Sequence, residues 1–168
     1  MTNRITNCGS STSYEKMMED NNKCTMVIIP RNLFNKQIDN KLLTQNPCFY
    51  ILLKDNKMPT QGYAGYTNDP IERITTHKNK KNWWSYALLF LYHDKDPEGK
   101  DFHFDIADVA YLEYLALNKP DAIIKGLRFK NKKKADKQYL KPYTEKYIQK
   151  AFDSVKLLIS EYFNKQNY

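Results

Sequence analysis

Apolar positions fall into a few short unbroken runs and two helical stripes. Cys24-Thr25-Met26-Val27-Ile28-Ile29 is apolar or β-branched and predicts a short strand stopped at Pro30. Phe49-Tyr50-Ile51-Leu52-Leu53 has no polar interruption, the pattern of a strand buried on both faces. Asp55-Asn56-Lys57 and Pro59 supply a turn, and Gly62-Tyr63-Ala64-Gly65-Tyr66-Thr67 reads as the returning strand of an antiparallel hairpin. Its two glycines imply a bulge or a close backbone approach. Tyr86-Ala87-Leu88-Leu89-Phe90-Leu91-Tyr92 predicts a third strand, with a charged loop from His93 to Phe104.

The helix signals are sharper at their starts than at their ends. Asp69 can cap, Pro70 takes the first helical position, and Glu72 follows three after the cap, so a helix should run to about His77 or slightly beyond. A second helix is predicted over Asp105 to Leu117. A third, from Thr144 to Phe163, carries an apolar stripe at Ile148, Ala151, Phe152, Val155, Leu158, Ile159, Tyr162 and Phe163. Residues Ala122 to Gln138 hold seven basic side chains between Lys125 and Lys137 and predict an exposed connector. Residues Asn32 to Gln45 show no clear period. The polar stretch Met1 to Asn22 predicts a mobile tail. No internal repeat is visible. The sum is an α+β domain, a small antiparallel three-stranded sheet flanked by helices, plus an N-terminal strand and a C-terminal helix.

Composition narrows the partners. The 168 residues suit one domain, and 27 Lys and Arg against 19 Asp and Glu leave a net charge of +8. Such a surplus favours polyanions, nucleic acid first and an anionic membrane surface second. The three cysteines, Cys8, Cys24 and Cys48, form no Cys-x-x-Cys pair and suggest reduced thiols. No apolar signal segment and no run near the ~18 residues of a membrane span is present, so a cytoplasmic protein is expected.

Candidate chemistry starts with Glu113. Ile106, Val109, Ala110 and Leu117 share one face of the second helix, and Glu113 projects into that stripe as the only charge between Val109 and Leu117. A carboxylate there needs a cation: either a lysine or arginine in a buried salt bridge, or a divalent metal. Arg73 and His77 lie four apart on the capped helix, beside Ile71 and Ile74, at a border between core and solvent. Lys78, Lys80 and Lys81 follow, and Trp83 and Trp84 set aromatic faces beside them, which suits binding of nucleic-acid backbone and bases. Tryptophan pairs more often anchor a core. Tyr50 and Tyr63 sit on the two hairpin strands, where tyrosines usually pack with a hydroxyl at the rim.

Together these elements resemble the GIY-YIG nuclease superfamily. The first half-motif stands here as Cys48-Phe49-Tyr50 and the second as Tyr63-Ala64-Gly65; the arginine helix is Ile71-Glu72-Arg73-Ile74-Thr75-Thr76-His77, and the glutamate follows as Tyr111-Leu112-Glu113. Order and spacing agree from Cys48 to about Leu117. Lys81-Asn82-Trp83-Trp84 and Lys141-Pro142-Tyr143 are similar to a bacterial subgroup with an amino-terminal strand and a carboxy-terminal helical tail. Cys48 and Phe49 replace the usual Gly and Ile, and Tyr66 replaces a polar residue.

The resemblance implies a division into a tail (1–22), a flanking strand and turns (23–47), a catalytic domain (48–120) and a basic connector with helix (121–168). It implies an endonuclease using Mg²⁺ or Mn²⁺, with Glu113 as metal ligand, Arg73 on the scissile phosphate, Tyr50 or Tyr63 as general base, and His77 positioning tyrosine or water. Lys78, Lys80 and Lys81 would bind nucleic acid, DNA before RNA. Two other classes stay open: a catalytically weak nucleic-acid-binding module on the same fold, and a protein-interaction domain in which Glu113 is a buried ion pair.

Overall fold

In chain order the strands are β1 (Arg4–Asn7), β2 (Glu15–Met18), β3 (Cys24–Pro30), β4 (Cys48–Leu53), β5 (Gln61–Thr67), β6 (Tyr86–Lys95), β7 (Asp101–His103) and β8 (Arg128–Phe129). The helices are α1 (Pro70–Lys80), α2 (Ile106–Asn118), the single turn α3 (Pro120–Ile123) and α4 (Pro142–Gln166). The computed structural model describes residues 4–7, 15–18, 24–34, 47–54, 59–95, 98–132 and 142–166.

The apolar runs become strands because alternate side chains of each find a covered face. All six residues of β4 are buried. Phe49, Ile51 and Leu53 join Met26, Ile28, Leu88 and Phe90 on one face, beneath Val109, Leu112 and Ala116 of α2 and Ile148, Phe152, Val155 and Ile159 of α4. Cys48, Tyr50 and Leu52 join Val27, Ile29, Ala87 and Leu89 on the other, against Ile74 of α1, Phe34 and Trp84. The stripe assigned to the last helix is buried from Ile148 to Tyr162.

The sheet runs β1-β2-β3-β6-β4-β5-β8, with β7 paired to β6. The expected three-stranded antiparallel unit is its centre, β6-β4-β5. The α+β class holds, but the sheet is larger and mixed, since β8 joins β5 in parallel. The composition-based expectations fail where backbone pairing, blind to polarity, finds an edge. β3 pairs along its length with β6, and β2 and β1 add to its far edge, so Arg4–Asn7 and Glu15–Met18 are strands within the segment expected to be a tail. The rest of 1–22 lies outside the described residues. The expected charged loop after Tyr92 is instead a β6–β7 ladder, His93 opposite His103. The expected connector begins with α3 and β8, tethered by the buried Ile123 and Leu127; residues 133–138 lie outside the described residues. Of the stretch without a clear period, Arg31–Leu33 forms one 3-10 turn, and 35–46 lie outside the described residues.

Candidate active site

The hairpin sets Tyr50 directly opposite Gly65. A Cβ built on Gly65 would fall under 3.0 Å from the Tyr50 hydroxyl and Cζ and reach 3.0 Å from Cε1. The ring therefore lies across the β5 backbone in space that only a glycine leaves. Gly65 does not have a positive φ, so close approach, not backbone conformation, requires it.

α1 brings the next two groups. The Asp69 carboxylate accepts from the Glu72 amide at 3.0 Å, and Pro70 occupies the first turn, so the helix start and its phase are fixed. One turn apart, Arg73 and His77 then meet the phenol. Arg73 Nε donates to the Tyr50 hydroxyl at 3.4 Å, and the hydroxyl lies 2.7 Å from His77 Nε2. An arginine can only donate, so the hydroxyl accepts from Arg73 and keeps its own proton available to Nε2 of a neutral imidazole whose proton is on Nδ1. The Tyr63 ring packs against His77 with centroids 5.0 Å apart and lies within electrostatic reach of Arg73. The guanidinium is thus bonded to one phenol and close to a second while remaining open to solvent.

The ionisation states follow. Burial pushes the Tyr50 phenol well above its usual range, against the pull of Arg73, so it stays protonated. Burial, with the charges of Arg73, Lys81 and Lys80, lowers His77 to about 4, so the imidazole is neutral. The bond to Tyr50 is the largest influence raising Arg73 further above neutrality.

Val109, Ala110 and Ala116, three or four residues from Glu113, are buried beside it. Asp108, Tyr111 and Leu112 are also buried, Ile106 is 39% exposed, and Glu113 is half-buried. Burial raises its carboxyl to about 7, and Arg73 is the charge that opposes the rise. Among the described residues its carboxylate forms no ion pair or hydrogen bond. The buried salt bridge considered from the pattern is therefore not formed there.

The basic run divides by role. Lys78 Nζ donates to the Phe34 carbonyl at 2.7 Å, which ties α1 to the turn after β3. Lys80 is exposed, and Lys81 Nζ stands 4.8 Å above the Tyr63 ring. Trp84 is a core anchor, 2% exposed, whereas Trp83 is half-buried beneath Lys130. Sequence reasoning missed Arg31, which donates to the Lys78 carbonyl at 2.7 Å and to that of Lys81 at 3.4 Å, closing the end of α1. It also missed Asn131, whose amide both accepts from and donates to the Ala64 backbone, at 3.1 and 2.7 Å. Neither residue lies in a periodic element, so no pattern signals it. No family model, curated protein or solved structure matches the chain.

Proposed function

We propose that the chain is a divalent-metal-dependent endonuclease of the GIY-YIG type, acting on DNA before RNA. The observation that carries the reading is a solvent-open guanidinium, bonded to one phenol and close to a second, within electrostatic reach of a carboxylate that has no ion-pair partner among the described residues. The order of β4–β5 hairpin, α1, β6 and α2 supports it.

A divalent cation fits Glu113. The carboxylate is half-buried and costly to ionise unaided, which a cation would offset. A single carboxylate suits a hard ion, which keeps most of its waters as ligands. Bound at Glu113, Mg²⁺ or Mn²⁺ would supply a hydroxide-forming water and neutralise phosphate charge.

The chain's own groups do the rest. Arg73, its Nε fixed by Tyr50, turns its terminal N–H groups toward a phosphate and opposes the charge that builds on it. Tyr63, the less buried phenol, reaches the attacking water. Tyr50 has no exposed surface and acts by position, transmitting the fixed geometry of His77 to Arg73.

Nicking of plasmid and single-stranded DNA under Mg²⁺ or Mn²⁺ tests this. Arg73→Ala and Glu113→Gln should each slow cleavage about 10²-fold or more. If both cleave as fast as the unaltered chain, the reading is wrong. The sealed, protonated Tyr50 favours the second reading, a binding module, for which binding would be salt-sensitive and independent of metal, with no cleavage.

A further inference from the structure

Strand β8 carries the start of the basic connector to the edge of β5, beside Tyr63. Arg128 N donates to the Thr60 carbonyl at 2.9 Å and Lys130 N to the Gly62 carbonyl at 2.7 Å. One residue further, the Asn131 amide takes up both polar groups of Ala64, replacing the strand that ends there. Residues 128 to 131 are therefore held to β5 over the whole approach to Tyr63.

That tether places Lys130 over one aromatic ring, and the end of α1 places Lys81 over another. Lys81 Nζ is 4.8 Å above Tyr63, and Lys130 Nζ is 4.7 Å above Trp83. Both rings are half-buried and pack on the α1 side of the sheet, so they are firm platforms. Among the described residues neither ammonium is paired with a carboxylate. The Tyr63 ring links the two ends: it packs against His77 within electrostatic reach of Arg73, and its face lies beneath Lys81. A path of positive charge therefore leads from Arg73 by way of Tyr63 and Lys81 to Trp83 and Lys130.

We propose that Lys81 and Lys130, seated on Tyr63 and Trp83, bind two successive phosphates of the nucleic-acid strand beyond the reacting one, and that Asn131 positions Lys130 by fastening β8 to β5. The inference rests on the nucleic-acid reading of the site. An aromatic ring under each ammonium restricts a long side chain before the ligand arrives, and alternation of ring and cation matches a strand that alternates base and phosphate. An anionic membrane surface would need no such row beside the reaction centre.

The test is binding of a short fluorescein-labelled single-stranded DNA, followed by anisotropy in chelator across a salt series. Lys81→Gln and Lys130→Gln should each reduce the slope of log K against log salt by about 0.7, one phosphate's share, which is about a threefold smaller loss of affinity between roughly 50 and 200 mM salt. Asn131→Ala should reduce it as Lys130→Gln does, and adding Lys130→Gln to Asn131→Ala should change nothing more. Lys150→Gln, which removes an equal charge from a lysine over the Tyr147 ring of α4, should leave the slope intact. An unchanged slope in Lys130→Gln, an equal fall in Lys150→Gln, or no binding by the unaltered chain overturns the proposal. Metal-supported nicking by the same preparations is read separately: cleavage with an unaltered Lys130→Gln slope rejects the phosphate path alone, whereas a reduced slope without cleavage rejects the nuclease and keeps the path.

Discussion

Replacing Gly65 by alanine reverses the sign that strand propensity assigns. In an ordinary strand the exchange favours alanine by roughly 0.5–1 kcal/mol, because glycine loses more backbone freedom on folding. At Gly65 the added methyl meets the Tyr50 ring, which has no exposed surface and no room to retreat. Forcing one carbon into such a core costs about 1–3 kcal/mol. Moving the phenol also breaks its 2.7 Å bond to His77 and leaves a buried acceptor unmet, another 1–3 kcal/mol or so. The variant should be about 3 kcal/mol less stable than the parent in urea unfolding, and cleavage should fail with it. Gly62→Ala is the comparison. Its methyl would meet Leu53 Cδ2 at 3.2 Å, Leu127 Cδ1 at 3.3 Å and the Leu52 carbonyl at 3.3 Å. Two of these are tips of flexible side chains, so its change should stay within about 1 kcal/mol. In a Tyr50→Leu background the ring is gone, and Gly65→Ala should cost almost nothing, a coupling of about 2–3 kcal/mol. A Gly65→Ala protein as stable as its parent, or a penalty that survives Tyr50→Leu, would refute the placement of the phenol.

Glu113 should impose a pH dependence on cleavage: with its acid at about 7, the rate at fixed low Mn²⁺ falls as pH drops through that value, and the midpoint moves down as Mn²⁺ rises. A rate flat across neutrality at both metal levels would remove Glu113 from that role. Its folded acid titrates above the unfolded range, so the parent loses stability as pH rises through about 7; Glu113→Gln lacks this loss and should unfold at higher urea above neutrality, with the difference vanishing in acid. His77 is depressed from 6.5 to about 4, so the stability its neutral form contributes is present above 6.5 and is lost as pH falls toward 4; His77→Gln should flatten that limb in urea titrations. Arg31→Ala should lower stability by about 1–3 kcal/mol in urea, since two carbonyls at the end of α1 lose their donor; an unchanged midpoint would count against that cap.

What the sequence made legible is what local rules determine. The cap at Asp69 and Pro70, the doubly buried β4 and the stripe of α4 each follow from residues within one element, and the structure contains all three. β1, β2, β7 and β8 do not follow from their composition, because each exists by pairing with an edge that another strand exposes, β2, β3 and β6 close by in the chain and, for β8, the distant β5. The same distinction governs the expected exposed connector: Ile123 and Leu127 look incidental among lysines until α3 and β8 are docked.

The site divides along the same line. Arg73 and His77 could be paired by helical spacing alone, and Tyr50 with Gly65 by the hairpin register. Neither rule reveals that one hydroxyl joins the two pairs, accepting from Arg73 and hydrogen-bonded to His77. That junction has a consequence for charge. A neutral imidazole and a protonated phenol leave Arg73 as the cation nearest Glu113, so the carboxylate feels one positive charge and the full cost of its burial. Protonating His77 would place a second cation beside Arg73 and remove the acceptor that orients Tyr50. The contact that holds Arg73 Nε on Tyr50 therefore depends on His77 remaining neutral, and its depressed titration keeps it so throughout the range in which Glu113 ionises.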